Sequence, residues 1–109
     1  MLAAFAFAAA PALAANITDD APLAHFKGKD QGMFDATLNA VLDDGKPGTT
    51  RAWSNPETKA SGEVKAVKSF TRGESACRTV HVSNRAEGRT SAANYTFCKS
   101  AQGKWGLAQ

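Results

Sequence analysis

The two cysteines of the chain, Cys77 and Cys98, place the tightest limits on how it can fold. Each lies in a strand-like run, and the polar stretch 83–88 separates the two runs, which predicts a strand, a turn and a strand. Facing residues of a hairpin have numbers with a constant sum. For a turn centred on Glu87 and Gly88, this constant equals the sum of the two cysteine numbers. The cysteines are therefore predicted to face each other closely enough for a disulfide. Free buried thiols are the alternative.

The apolar stretch that opens the chain predicts export. It ends in small residues, with Ala12 and Ala14 spaced as in an A-x-A cleavage site, so residues 1–14 are predicted to be a signal peptide. The stretch is shorter than the roughly 20 residues of a membrane-spanning helix, so no transmembrane span is expected in the mature chain. A buried helix is the alternative. Because no Lys or Arg precedes the stretch, we expect the natural start to lie upstream of Met1, or the sequence to be clipped there.

Export has consequences for the cysteines and for the location of the protein. In an oxidising compartment, an even number of cysteines favours a disulfide. No cysteine directly follows the apolar stretch, so a lipid anchor is not expected. The predicted location is the periplasm or the cell surface.

One amphipathic helix is predicted ahead of the strands. Residues 15–29 are predicted to form an irregular N-terminal arm, which His25 and Phe26 attach to the body. In residues 31–42 the apolar side chains follow a 3.6-residue period, which predicts a helix. Asp30 is predicted to cap its start, and Gly45 with Pro47 is predicted to end it.

After the helix, short strand-like runs alternate with turn residues. The predicted strands are 49–53, 63–71, 75–82, 89–99 and 104–107. Connections this short favour antiparallel neighbours. Residues 30–109 are therefore predicted to form a single α+β domain, with an N-terminal amphipathic helix packed on a five-stranded antiparallel β-meander and one disulfide.

The pairing also predicts which side of the sheet is the core. The predicted core side of the central hairpin carries Val80, Val82, Tyr95 and Phe97, and the disulfide is predicted on the opposite side. In the preceding strand, Val64, Ala66, Lys68 and Phe70 are predicted to share one side. A slip of one residue would exchange the two faces.

Charge is unevenly distributed along the chain. Residues 1–44 hold two Lys and six Asp, whereas residues 45–109 hold eleven Lys or Arg and four Glu. The basic part favours anionic envelope polymers, such as lipopolysaccharide or wall polymers, as partners. The alternative is a solvated basic sheet face without a ligand, since no dense basic run is present. Nucleic acid is not expected, because the chain has no motif for binding it.

An ordered set of short motifs resembles a known family. The motifs are Trp53-x-Asn55-Pro56, Ser61-Gly62-x-Val64, Phe70, Ala76-Cys77-Arg78, Gly88-Arg89, Tyr95-x-x-Cys98-Lys99 and Gly103-Lys104-Trp105. Together they resemble the C-terminal domain of rickettsial-type 17 kDa surface antigens and related bacterial surface-antigen proteins, over about residues 31–107. The resemblance implies this fold and an envelope or outer-membrane location, and it implies no settled biochemical activity. Thr96 and Gln102 stand where the family often has Gly and Asp.

The sequence contains no recognisable catalytic or metal-binding pattern. His25 and His81 are the only histidines, and cysteines committed to a disulfide cannot also bind a metal, so no metal or cofactor is expected. A hydrolase that uses His81 with Ser83 or Ser91 is the weakest hypothesis, since no oxyanion-hole motif is present.

Two hypotheses of function remain, with one candidate ligand surface. Trp53, Asn55 and Trp105 are predicted to line that surface, and burial of the indoles against the helix is the alternative. The first hypothesis is a non-enzymatic envelope module that binds anionic polymers or another envelope protein. The second is a secreted inhibitor of a lysozyme or protease, with 83–88 or 55–61 as its inhibitory loop.

Overall fold

The computed structural model describes residues 22–108 of the protein. A short 3₁₀ helix is followed by one α-helix and five strands. Their bounds are 3₁₀ Pro22–His25, α1 Asp30–Asp44, β1 Thr50–Asn55, β2 Ala60–Arg72, β3 Ser75–Ala86, β4 Arg89–Lys99 and β5 Trp105–Leu107. The strands form one antiparallel sheet in the order β1-β2-β3-β4-β5, so the predicted α+β meander is confirmed. The predicted signal peptide 1–14 and the first part of the predicted arm, 15–21, lie outside the described residues.

Helix α1 forms where the apolar period predicts it and packs on the sheet through one face. Its buried apolar residues are Phe34, Leu38, Val41 and Leu42. Gly45 ends the helix in the left-handed conformation, with φ of 67°, and its N–H donates to the carbonyl of Val41 at 3.0 Å. The prediction that Asp30 caps the start is wrong, because Lys29 occupies the N-cap position and Asp30 is the first helical residue. The carboxylate of Asp30 serves a different purpose, described below.

The arm ahead of α1 is attached to the body at two places. The ring of Phe26 packs edge-on against the indole of Trp53, with ring centroids 5.2 Å apart. At the β3–β4 turn, Glu87 pairs with Lys27, and its Oε1 lies 3.1 Å from Nδ1 of His25. The arm therefore docks on both the core and the hairpin tip.

The β3–β4 hairpin turns at Glu87 and Gly88, whose φ values of 52° and 78° suit a two-residue turn. Its register pairs Cys77 with Cys98, their Cα atoms lie 4.0 Å apart, and the disulfide is formed, as predicted. The predicted turn was too long, because Ser83–Ala86 continues β3. Tight turning at two residues extends the paired ladder and fixes the register of the whole hairpin.

The core lies between α1 and one face of the sheet. Val80, Val82 and Phe97 are buried there and Tyr95 is half-buried, which confirms the predicted core side. The disulfide lies on the other side, where Cys77 is nevertheless fully buried.

A β-bulge in β2 overturns one prediction. Val64 and Ala66 pair with the core residues Val82 and Val80, but the register then shifts by one residue. Beyond the shift, Lys68 pairs with Thr79 and Phe70 with Cys77, so both lie on the side of the disulfide. The prediction that all four β2 residues share one side is therefore wrong, since one extra residue moves every later side chain to the opposite face.

Candidate functional site

Among residues 22–108, α1 covers only one face of the sheet, and the opposite face is left open. We call this opposite face the outer face. Its charged side chains are Glu63, Lys65, Lys68, Arg72 and Arg85, all of them exposed. Four cations against one carboxylate give the outer face a net positive charge, so it can attract anions.

The four cations are spread over β2 and β3. Lys65 is the register partner of His81, and Arg85 is the partner of Ser61. The ammonium of Lys68 and the guanidinium of Arg72 lie 5.3 and 5.8 Å from the centroid of the Phe70 ring. Within residues 22–108, none of the four cations forms an ion pair. Their charges are therefore not neutralised by the fold.

A shallow open trough of about 590 Å³ lies across the outer face near the β3–β4 turn. It is lined by Ser61, Gly62, Glu63, Ser83, Asn84, Arg85, Thr90, Ser91 and Ala92. Four of these residues carry hydroxyl groups, which donate and accept hydrogen bonds, and one carries a guanidinium. Such a lining can hydrogen-bond a polar ligand, and it holds one charge of each sign, on Arg85 and Glu63.

Side-chain hydrogen bonds connect β3 and β4 in the middle of the outer face. The hydroxyls of Thr79 and Thr96 lie 2.9 Å apart, and Nδ1 of His81 lies 2.7 Å from Oδ1 of Asn94. The His81 ring thus pairs with an amide rather than with the hydroxyl of Ser83 or Ser91. In the part of the chain that the structure describes, no group of three or more His, Cys, Asp or Glu side chains is arranged to hold a metal ion.

Trp53 and Asn55 lie on the core side, at the start of α1. Trp53 is 6% exposed and Asn55 4%. The carboxylate of Asp30, which is 1% exposed, accepts hydrogen bonds from Asn55 Nδ2 at 2.8 Å and Thr58 Oγ1 at 2.7 Å. It also accepts one from the backbone N–H of Lys27 at 2.9 Å. Asn55 Oδ1 in turn accepts from the N–H of Glu57 at 3.1 Å, which forms a turn at Pro56.

This hydrogen bonding shifts the titration of Asp30. Burial by itself raises the pKa of the carboxyl, but the bonds from Lys27, Thr58 and Asn55 outweigh it and hold the pKa below its ordinary value. The carboxylate therefore stays ionised in the folded protein and joins the start of α1 to the β1–β2 turn.

Trp105 lies at the other end of α1. Its indole N–H donates to Oδ1 of Asp43 at 2.9 Å, and its ring is half-buried. The guanidinium of Arg78 packs against this ring, 5.2 Å from the centroid, and reaches the backbone of Gly45 at the helix end. A cation is favourable beside the negative end of the helix dipole. The Cys-Arg and Trp motifs of the sequence thus meet at the C-terminus of α1.

The structure does not bring the three predicted ligand residues together. Trp53 and Asn55 lie at one end of α1 and are buried, whereas Trp105 lies at the other end and is partly exposed. A ligand surface formed by all three stays a prediction. The sequence interpretation missed the roles of Asp30 and Arg78. The only signal for Arg78 was that the last turn of α1 has no basic residue of its own, so a cation from a later strand could lie there.

Asp30→Asn is expected to lower the free energy of unfolding by about 1–3 kcal/mol at pH 7, because the amide places N–H groups where the carboxylate accepted hydrogen bonds. The pKa of Asp30 is lowered by folding, so its contribution is present above the unfolded value of about 4. That contribution is lost as the pH falls through the lower folded value. Urea unfolding between pH 7 and pH 2 should show the two proteins converging in acid.

Asp35→Asn is the matched control for this experiment. Asp35 lies one turn along α1, is exposed, and accepts from Gln31 Nε2 at 2.9 Å. We expect it to change stability by less than about 0.5 kcal/mol at any pH. Equal losses in the two variants would contradict the proposed role of Asp30.

Comparison with known proteins identifies the family. None of the helices described in residues 22–108 is long and apolar enough to cross a membrane. No curated protein and no solved structure matches the chain significantly. A family described as 17 kDa outer membrane surface antigen matches residues 40–106, which run from the second half of α1 through Trp105 and include both cysteines. This match covers more than half of the chain and includes β1 to β4 and most of β5, so the protein belongs to the 17 kDa outer membrane surface antigen family and is an envelope-associated surface antigen.

Proposed function

We propose that the protein is a non-enzymatic binding module, exported to the periplasm or cell surface, whose outer face binds anionic envelope polymers. The observation that carries the proposal is an open sheet face with Lys65, Lys68, Arg72 and Arg85 outside any ion pair and a single carboxylate, Glu63, among them. Family membership supports a location in the cell envelope, where the protein would encounter such polymers.

The distribution of charge favours a polymer over a small anion. The four cations lie along β2 and β3 on one face instead of converging on one point. Each exposed cation contributes little by itself, since water and salt screen it. A chain of repeating anionic groups can contact several of them at once, and the contributions then add.

The trough favours a polymer that contains sugar. The hydroxyl residues Ser61 and Ser83 are the register partners of Arg85 and Glu63, and they can hydrogen-bond sugar hydroxyls there. Lipopolysaccharide and acidic wall polymers both combine sugars with negative groups.

Charge reversal on the outer face provides the test. The double variant Lys65→Glu/Arg85→Glu should lose about tenfold or more of the binding of the wild-type protein to purified lipopolysaccharide or isolated cell wall at low salt. Wild-type binding itself should fall steeply as salt rises from about 0.05 to 0.5 M, because the Debye length shortens. Sedimentation of the protein with the polymer, followed by quantification of the pellet, measures both effects.

Lys46→Glu/Arg51→Glu is the matched control, with the same change in net charge. Lys46 is exposed in the loop after α1, and the register partner of Arg51 is the core residue Val64. The control should keep most of the binding. Equal loss in both variants would show that net charge alone matters, and binding that salt does not change would contradict the proposal.

A further inference from the structure

The edge of strand β4 is largely unpaired within residues 22–108. Strand β5 is only three residues long, and its partners are Phe97, Cys98 and Lys99. One further bond, from the N–H of Ala108 to the carbonyl of Thr96 at 2.8 Å, extends the contact by one residue. Between the hairpin turn and Thr96, β4 has β3 on one side and no described strand on the other.

The hairpin register shows which backbone groups face this open edge. A two-residue turn makes Ala86 and Arg89 a hydrogen-bonded pair, so the odd-numbered residues of β4 bond to β3. The even-numbered residues then direct their N–H and C=O groups away from β3, as the bond between Ala108 and Thr96 shows. Thr90, Ala92 and Asn94 therefore present their backbone donors and acceptors to the open edge.

This edge lacks the usual protection against pairing. Natural edge strands carry charges, prolines or bulges that block the addition of another strand. Residues 90–96 of β4 read Thr-Ser-Ala-Ala-Asn-Tyr-Thr, without a charge or a proline. The other edge of the sheet differs, because β1 contains Arg51 and is followed at once by Pro56.

We propose that the open edge of β4 pairs antiparallel with β4 of a second copy of this chain, about a twofold axis at Ala92. In this register Thr90 faces Asn94 of the other copy, and Ala92 faces its own counterpart. Gly88 of the other copy comes opposite Thr96, so Ala108 gives up its bond to the Thr96 carbonyl when the dimer forms. About six backbone hydrogen bonds form, two for each facing pair of edge residues.

The side chains suit this register. The residues at the centre, Ser91, Ala92 and Ala93, are small and exposed, so their side chains do not block the approach of two β4 strands. At each end Arg89 faces Tyr95 of the other copy, where a guanidinium can lie against an aromatic ring. No like charges meet across the axis.

The dimer is a ten-stranded sheet in which both outer faces point to the same side. The twofold axis is perpendicular to the sheet, so Lys65 and Arg85 of each copy line one continuous surface. The pairing uses backbone groups of β4 and does not depend on polymer binding. Its failure and the failure of the proposed function are therefore separate results.

The association state of the full chain tests the proposal. Sedimentation velocity between about 1 and 200 μM should show the mass rising from 11.4 kDa to twice that value. Ala92→Lys places like charges opposite each other, and Ala92→Pro removes the central edge N–H without touching a bond to β3. Both should weaken dimerisation by about tenfold or more. Ala52→Lys, the same change on the exposed outer side of β1, should dimerise like the wild type.

Amide hydrogen exchange supplies a readout that locates the interface. In the wild type, the amides of Thr90, Ala92 and Asn94 should become protected as the protein concentration rises. In both Ala92 variants, the protection of Thr90 and Asn94 should stay constant. A wild-type chain that remains monomeric over the whole range would overturn the proposal. So would dimerisation of both Ala92 variants at wild-type strength, or protection that appears elsewhere.

Discussion

Gly62→Ala is expected to lower the free energy of unfolding by about 3 kcal/mol or more, although it adds a single methyl group. Gly62 lies on the core side of β2, between its register partners Trp53 and Asn84. A Cβ atom there would lie 2.7 Å from the backbone carbonyl of Ser83, and closer still to Trp53 Nε1 and Asn84 Oδ1. The carbonyl belongs to the β2–β3 ladder and cannot yield, so the indole must move out of the core.

Polar atoms make this site more sensitive. Trp53 Nε1 and Asn84 Oδ1 are buried, and neither has a hydrogen-bond partner among the described residues. Both converge on the space above Gly62. A methyl group in that space would displace both side chains from their packed positions, which costs free energy in a well-packed core.

Thermal and urea unfolding would measure the effect, with a loss of about 3 kcal/mol lowering the melting temperature by roughly 12–24 °C in a domain of this size. Gly32→Ala is the matched control. Gly32 is exposed in α1, and a Cβ atom there meets nothing within 4 Å. Because alanine is the better helix former, this control should gain about 0.5–1 kcal/mol. A Gly62→Ala protein as stable as the wild type would mean that Trp53 and Asn84 pack differently around Gly62.

Removal of the disulfide is expected to have a similarly large effect. Cys77→Ala/Cys98→Ala should lower the free energy of unfolding by about 3 kcal/mol, since the crosslink closes a loop of about 20 residues in the unfolded chain. The two cysteines are cross-strand partners, so the folded hairpin already brings them together. The variant should therefore keep the β-sheet signal in circular dichroism and lose stability only.

Reduction of the wild-type protein provides the control. Urea unfolding with a strong thiol reductant should bring the wild type to the stability of the double variant, while the reductant leaves the variant unchanged. A double variant within about 0.5 kcal/mol of the oxidised wild type would contradict the expected contribution.

The sequence predicted the hairpin well because one local feature determines it. A two-residue turn at Glu87 and Gly88 specifies every facing pair from Ala86–Arg89 to Cys77–Cys98. The cysteines then supplied an independent check on that register. Helix α1 was predictable for a comparable reason, since its apolar period and its terminal Gly45 both lie within one short segment.

The bulge in β2 could not be predicted, because the alternation of apolar and polar residues around it is ambiguous. Val67 and Phe70 are both apolar and lie three residues apart, so either face could have been continuous. The shift is determined by pairing with β3, where Thr79 and Cys77 receive Lys68 and Phe70. Without it, Lys68 and Arg72 would point to the core side. The basic outer face therefore depends on a feature that is visible only in the fold.

The hydrogen bonds of the buried Asp30 carboxylate could not be predicted from the sequence for a similar reason. Its partners Asn55 and Thr58 lie 25 and 28 residues away in the chain, and no local pattern connects them. The W-x-N-P motif does not show that the amide of Asn55 holds the start of a distant helix.

The one-sided packing of the sheet also divides the sequence into two parts with different freedom to vary. Trp53, Asn55, Arg78 and Trp105 all hold α1 in place, and mutations there endanger the fold. Exposed outer-face residues such as Lys65 and Arg85 do not contact α1, because they lie on the opposite side of the sheet. Substitutions on that face are therefore expected to cost little folding stability, so the sequence can change there more freely than around α1.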